Sequence, residues 1–265
     1  IYYDFNGGRP VLNVGEKEEG GMRKKRKLRP DHVKHDRSIL SQRSDPEQYP
    51  EITYLGNILS EIIIYREWNL TNLRKPQAVD LPRDFLEPDG SNLGLILNSL
   101  RFNLSAKNRF LGALRDLYDS IDDFDVKIEG GTIQVFLREG RFMVPATRLS
   151  DGTLRYLCLL AILCHPGPPP LVCIEEPELG LHPDILPTLA DLLKEAAERC
   201  QIIVTTHSDR LVDAMTDSPE AVLVIEKPTN STVLRRLDPD QLKPWLEKYR
   251  LGELWMRGGV GGKRW

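Results

Sequence analysis

Apolar positions change their spacing twice along the chain, and the changes divide it into three textures. The first is strand-like. Ile1 to Phe5 is an apolar run broken at Asn6-Gly7-Gly8, and Val11 to Val14 predicts a return strand, so the opening reads as a β-hairpin. Gly15 to Pro30 is dense in charge, with Arg23, Lys24, Lys25, Arg26, Lys27 and Arg29 nearly contiguous. Such a run predicts a solvated loop or ribbon, and a phosphate-backbone contact is the sharper alternative. Arg37 to Pro50 stays polar and loop-like.

The second texture mixes helix and strand periods. From Ile52 to Trp68 apolar residues return, but Ile62, Ile63 and Ile64 fit either a strand or a buried helix. Leu70 to Pro88 contains Pro76, Pro82 and Pro88 and predicts an extended connection. Ser91 then stands as N-cap for an amphipathic helix through Leu93, Ile96, Leu97 and Leu100, and a second helix is expected over Lys107 to Ser120. Phe124 to Ile128 and Ile133 to Leu137 alternate apolar and polar around Gly130-Gly131, the pattern of a hairpin.

Beyond Met143 buried strands and helices alternate. Leu154 to Cys164 predicts a buried helix ended by Pro166 to Pro170, and Leu171 to Ile174 a central strand. A helix over Pro183 to Arg199, a buried strand at Ile202 to Thr205, a short helix at Arg210 to Met215 and a strand at Ala221 to Ile225 follow. This order predicts an α/β fold with a mainly parallel sheet flanked by helices, whose ligands bind at the carboxyl ends of the strands. Thr232 to Leu237 fits an edge strand and Asp238 to Lys248 a short helix; the closing GELWMRGGVGGKRW reads as a flexible tail, with a docking surface as the alternative.

Composition narrows the picture only a little. With 265 residues and 40% hydrophobic content the chain can bury a real core, and a net charge of -3 recommends neither a nucleic-acid nor a membrane surface globally. No apolar run approaches the roughly 18–20 residues of a membrane span. Cys158, Cys164, Cys173 and Cys200 lie in or beside apolar runs without metal-ligand spacing, which fits reduced thiols of a soluble cytoplasmic protein.

The chemistry concentrates between Arg148 and Ser208 in three segments, RLSDGTLRYL, LVCIEEPELGLHPD and QIIVTTHSD. In the first, Ser150 and Thr153 offer hydroxyls, Gly152 admits close backbone approach, and the following helix directs its positive end at the turn; an ordinary helix N-cap is the plainer reading. In the second, Glu175 and Glu176 stand side by side at a strand end, where burial is costly unless a cation or a proton transfer is involved. His207, after the third, fits a capping histidine when taken alone.

Taken together and in order, these segments resemble the C-terminal half of ABC-type ATPases, most closely the branch with SMC, RecF and OLD-family proteins. The resemblance covers roughly Met143 to Ile225 and extends loosely upstream through EPDGSNLGLILNSL. It implies that LSDGT is the signature motif, with Asp151 and Thr153 replacing commoner residues. Ser150, Asp151, Gly152 and Thr153 would then touch the γ-phosphate of ATP held by a partner protomer. It implies further that Glu175 lies on the magnesium side of Walker B, where aspartate is usual, and that Glu176 activates water. Glu178 to Pro183, including His182, is similar to the D-loop, and His207 to the switch histidine that senses the γ-phosphate.

A complete ATPase of this kind needs a phosphate loop, GxxxxGK followed by Ser or Thr. Gly15 to Gly20 has the two-glycine spacing but continues into Gly21 and Met22, and Gly262-Lys263 lacks the first glycine. The expectation is a single incomplete ATPase domain over 1–265: hairpin and basic loop at 1–50, helical insertion at 91–120, motif-bearing core at 143–227, tail at 228–265. A degenerate ATPase is the alternative to a fragment, and in both cases the chain alone is expected to hydrolyse ATP poorly. The expected whole is a homodimer closed around ATP and magnesium, coupled to DNA repair or foreign-DNA defence. A regulatory protein controlling an effector protein without touching DNA is the alternative, and a transporter subunit a weaker third. No membrane association is expected.

Overall fold

A computed structural model describes residues 3–6, 9–14, 24–28, 33–34, 36–227 and 231–262. The chain divides into two compact units, Ile1–Ile62 and Ile63–Trp265.

In the first unit the expected hairpin forms. Strands β1 (Tyr3–Asn6) and β2 (Arg9–Val14) pair antiparallel, with Asn6 opposite Arg9; Gly7 and Gly8 lie outside the described residues. The basic run supplies a third strand, β3 (Lys24–Lys27), paired antiparallel with β2, so the ribbon alternative holds there. Arg23, Arg29 and the Gly15-to-Met22 stretch lie outside the described residues. The polar stretch before Pro50 contains a short helix, α1 (Ile39–Gln42), capped by Ser38. The ambiguous Ile52-to-Trp68 segment resolves into both forms: α2 (Pro50–Ser60) ends this unit, and a strand opens the next. Leu12, Tyr49 and Ile52 make a small core of their own.

The second unit holds the parallel sheet. β4 (Ile63–Tyr65), β9 (Leu171–Glu175) and β10 (Gln201–Thr205) run parallel in the order β10-β9-β4. The central place of β9 follows from its sequence, since Val172 and Ile174 are both buried. β10 departs from expectation: none of its residues is fully buried and Ile203 is 49% exposed. The reason is its position, because among the described residues it has a strand neighbour on one side only.

Between β4 and β9 the chain builds an antiparallel sheet and four α-helices. The Pro-rich connection contains α3 (Leu70–Arg74) and β5 (Gln77–Ala78). The hairpin forms as β6 (Asp123–Glu129) and β7 (Thr132–Glu139), and β8 (Phe142–Pro145), which the periodicity did not announce, adds to the far edge of β7. Helix α4 (Leu93–Leu100) is capped at Asn92, not Ser91: the fully buried Asn92 side chain bonds Glu87 N, Pro82 O and Phe85 O, a fold-level demand that displaces the local one. Helix α5 (Leu104–Leu117) starts three residues early because Asn103 provides its cap. Helix α6 (Asp151–Leu163) is the buried helix expected; Tyr156 through Cys164 are each at most 3% exposed.

After β9 come α7 (Leu186–Ala197), β10 and α8 (Asp209–Asp213). β11 (Leu223–Glu226), expected in the parallel sheet, instead pairs antiparallel with β12 (Val233–Arg236). The closing residues also depart from a flexible tail. Helix α9 (Pro239–Leu246) is followed by α10 (Leu251–Met256), which buries Leu251 and Leu254 with Val224, Leu237 and Val260. Asp213 accepts from Gly252 N, and Trp255 Nε1 donates to Gly262 O. No helix among the described residues is long and apolar enough to cross a membrane.

Candidate functional site

The parallel register decides what meets at the carboxyl end of the sheet. Thr205 lies opposite Glu175, and Tyr65 opposite Ile174. The residues following each strand therefore converge: Arg66 after β4, Glu175 and Glu176 at the end of β9, Thr206 and His207 after β10. Arg66 Nε sits 3.1 Å from Glu175 Oε1, and both side chains are largely exposed. His207 Nε2 sits 3.4 Å from Glu176 Oε1. The two adjacent carboxylates thus turn to different partners, which separates their charges.

Glu176 has φ +44°, and among the described residues no other non-glycine has a positive φ. This left-handed backbone costs a side-chain-bearing residue about 1–3 kcal/mol, and β-strand continuation would have avoided it. It is held by Glu176 N donating to Thr205 O at 2.9 Å and by Leu179 N donating to Glu176 O at 3.0 Å. The consequence is a sharp turn at the strand end that aims the Glu176 side chain toward His207.

The next acid completes the turn. Glu178 Oε1 accepts from Thr206 Oγ1 at 2.7 Å and from His207 N at 2.9 Å, and Thr206 Oγ1 in turn accepts from Ser208 N at 3.0 Å. Ser208 caps α8. Further along, His182 caps the 3-10 turn Pro183–Ile185 through Nδ1, and Asp184 approaches Arg210 at 3.4 Å. His182 is exposed and lies apart from the Glu176–His207 pair in its bonding.

The LSDGT turn is built as a helix start. Ser150 Oγ accepts from Thr153 N at 3.1 Å and lies 2.7 Å from Thr153 Oγ1. Thr153 is buried, and its hydroxyl also meets Tyr118 Oη at 3.2 Å, so it braces the turn from within. Asp151 is exposed and paired with Arg74 Nη2 at 2.5 Å, and the same nitrogen donates to Leu149 O. At Gly152 the close approach is to Gly180: a Cβ there would stand 2.5 Å from Gly180 O. The turn and the loop after the acidic pair are thereby packed backbone against backbone.

Two participants, Arg66 and Arg74, were not singled out by the sequence, and Glu178 was named only as the start of the stretch similar to the D-loop. Arg66 follows the short Ile63–Tyr65 strand, and its signal is a charged residue ending a third apolar run, as Glu175 ends the second. Glu178 is the third acid of EEPE, and Arg74 ends a helix hidden in a Pro-rich stretch. Burial pushes the thiols of Cys158 and Cys164 up, the latter to about 12, so neither serves as a nucleophile at neutral pH.

Among the described residues no group of three or more His, Cys, Asp or Glu can hold a metal alone. Glu175, 45% exposed, has the Arg66 guanidinium beside it.

Comparison with solved structures places the fold. An SMC head bound to the C-winged helix domain of ScpA matches over 74% of this chain and 63% of its own, at 14% identity and TM-score 0.51. An SMC head with coiled coil and joint derived from Pyrococcus yayanosii matches over 56% of this chain and 29% of its own, at 18% identity and TM-score 0.43. The SMC head domain from Thermotoga maritima matches over 89% and 72%, at 14% identity and TM-score 0.39. The chain thus spans under two thirds of the first two of these. No curated protein matches the sequence. Residues 20–213, most of the chain, match the family described as "AAA domain, putative AbiEii toxin, Type IV TA system". The chain belongs to this AAA-domain family of nucleotide-dependent ATPases and carries the ABC/SMC-head type of α/β fold.

Proposed function

We propose that this protein binds and hydrolyses ATP at the carboxyl end of the β10-β9-β4 sheet, between two head-to-tail copies. The observation that carries the reading is the left-handed turn at Glu176, which sets its carboxylate 3.4 Å from His207 at the end of the neighbouring strand. Strain at a strand end is tolerated where a side chain must be aimed. In this reading Glu176 takes the proton of the attacking water, and His207 contacts the γ-phosphate oxygens. Glu175 would help hold the magnesium ion carried on the nucleotide, which would neutralise phosphate charge there. Ser150, Asp151 and Gly152 serve the nucleotide of the second copy, with Thr153 as internal brace, and His182 lies in the loop that crosses between copies.

Hydrolysis opens the dimer, and the opening acts on a partner. Nucleic acid in repair or defence is the favoured partner, supported by the basic strand Lys24–Lys27 and by the toxin–antitoxin wording of the family description. A protein effector is the second reading, supported by the SMC head solved with a ScpA domain bound.

The test uses protein expressed from the complete reading frame. Glu176→Gln is expected to lower turnover by about 10²–10⁴-fold while retaining ATP binding, and to accumulate an ATP-dependent dimer in sedimentation velocity. Turnover unaffected by Glu176→Gln refutes the assignment.

A further inference from the structure

Glu178 lies next to the acidic pair yet takes no part in the chemistry proposed above, and its surroundings are unusual. One oxygen, Oε1, accepts from both the Thr206 hydroxyl and the His207 backbone N–H, at 2.7 and 2.9 Å. The other, Oε2, is buried and has no hydrogen-bond partner among the described residues. A carboxylate oxygen buried without a partner costs stability, and stability alone gives no reason to keep it. What the arrangement secures is local. Glu178 sits behind the Glu176 turn, two residues along the chain, and grips the residue that carries the imidazole. The Thr206 hydroxyl donates to it while accepting from Ser208 N, so three consecutive residues after β10 are fixed through one carboxylate.

We infer that Glu178 is a positioning residue: its Oε1 holds the Thr206 hydroxyl and the His207 backbone N–H so that the His207 imidazole stays in register with the Glu176 carboxylate. The His207 side chain is 77% exposed, so packing alone does little to orient it. The grip reaches the His207 main-chain N–H directly and Thr206 through its hydroxyl, and these two charge-assisted hydrogen bonds fix the starting point of the His207 side chain. This inference rests on the ATPase reading for its effect on turnover, but the grip itself is independent of that reading.

The experiment therefore has two readouts. Hydrogen exchange resolved at residues 201–213 reports the grip, and steady-state ATP hydrolysis by protein from the complete reading frame reports its consequence. Glu178→Ala is expected to speed exchange at the His207 and Ser208 amides about tenfold or more, with exchange in α6 unchanged. It is expected to lower kcat about tenfold, with little change in KM for ATP. The double variant Glu178→Ala/His207→Ala is expected to be no slower than His207→Ala, because both act through the imidazole. Glu178→Gln keeps an acceptor oxygen and is expected to restore most of both. If Glu178→Ala does not fold, Thr206→Val removes one of the two donors and is expected to give the same pattern more weakly. Unchanged exchange in the folded variants overturns the grip; changed exchange with wild-type kcat overturns the positioning role. Absence of hydrolysis by the wild type refutes the ATPase reading and the effect on turnover, while the exchange response still decides the grip.

Discussion

The packing of Gly152 on Gly180 predicts a reversal of sign that can be read from two alanine substitutions. Within helices, Gly→Ala ordinarily stabilises by about 0.5–1 kcal/mol, because alanine loses less backbone freedom on folding. Gly112 in α5 meets that condition: it is exposed, and an added Cβ has nothing within 4 Å. Gly112→Ala is therefore expected to gain close to the full amount. Gly152 lies in the first turn of α6, where the same Cβ would come 2.5 Å from the carbonyl oxygen of Gly180. That neighbour is backbone, so a side-chain rotation cannot relieve the overlap, and the Glu176-to-His182 loop must move. Inserting a methyl against a packed surface costs about 1–3 kcal/mol, which outweighs the propensity gain. The expected result is a net loss of about 1–2 kcal/mol, or roughly 2–8 °C in Tm. Urea denaturation followed by circular dichroism measures both variants against wild type. If Gly152→Ala proves as stabilising as Gly112→Ala, the close packing of the two loops is wrong.

The remaining predictions concern other parts of the fold. Burial and its Arg199 neighbour hold the His165 imidazole below its ordinary range, against the opposing pull of Gly167 O and Asp84. The unfolded chain then binds the proton more readily, so this group's contribution to stability is lost as pH falls through the unfolded value of about 6.5; His165→Gln is expected to flatten that slope in urea melts between pH 7.5 and 5.5. Cys173 and Cys200 are half-buried whereas Cys158 and Cys164 are fully enclosed, so a thiol reagent should label only the first pair until denaturant is added, as peptide mass spectrometry can check. Leu251 is wholly buried in the C-terminal cluster, and Leu251→Ala is expected to cost about 2–5 kcal/mol in the same denaturation assay; a loss under 1 kcal/mol would return these residues to the status of a loose tail.

What could be read in the sequence, and what could not, separates by the range of the interactions involved. β9, α6 and the β6–β7 hairpin were legible because each announces itself locally, by an apolar run, a serine cap or a Gly-Gly turn. The cap of α4 was not, since Asn92 is chosen by Glu87, Pro82 and Phe85 around it and not by the helix it begins. The same holds for α10: glycines surround it and suggest looseness, yet Leu251 and Leu254, three apart, present one face that packs with Val224 of β11, Leu237 and Val260. At the candidate site the acids and the histidine were visible as strand endings, but their partners were not.

Those partners follow once strand order is known. With β9 in the middle and Tyr65 opposite Ile174, the residue after Tyr65 must come alongside Glu175, and that residue is Arg66. With Thr205 opposite Glu175, the residues after Thr205 must come alongside the turn that begins at Glu176, and there Glu178 meets Thr206 and His207. Arg66 and Glu175 are far apart in sequence, so no periodicity could have joined them. Register alone does so, and it assigns the two neighbouring carboxylates to separate partners: Glu175 to a guanidinium, Glu176 to an imidazole. Adjacent carboxylates repel most when both face the same space. By sending them to opposite sides, the sheet leaves Glu176 beside a group that can exchange a proton and Glu175 beside one that cannot. That asymmetry is why Glu176, and not its neighbour, is the general base in the proposed reaction.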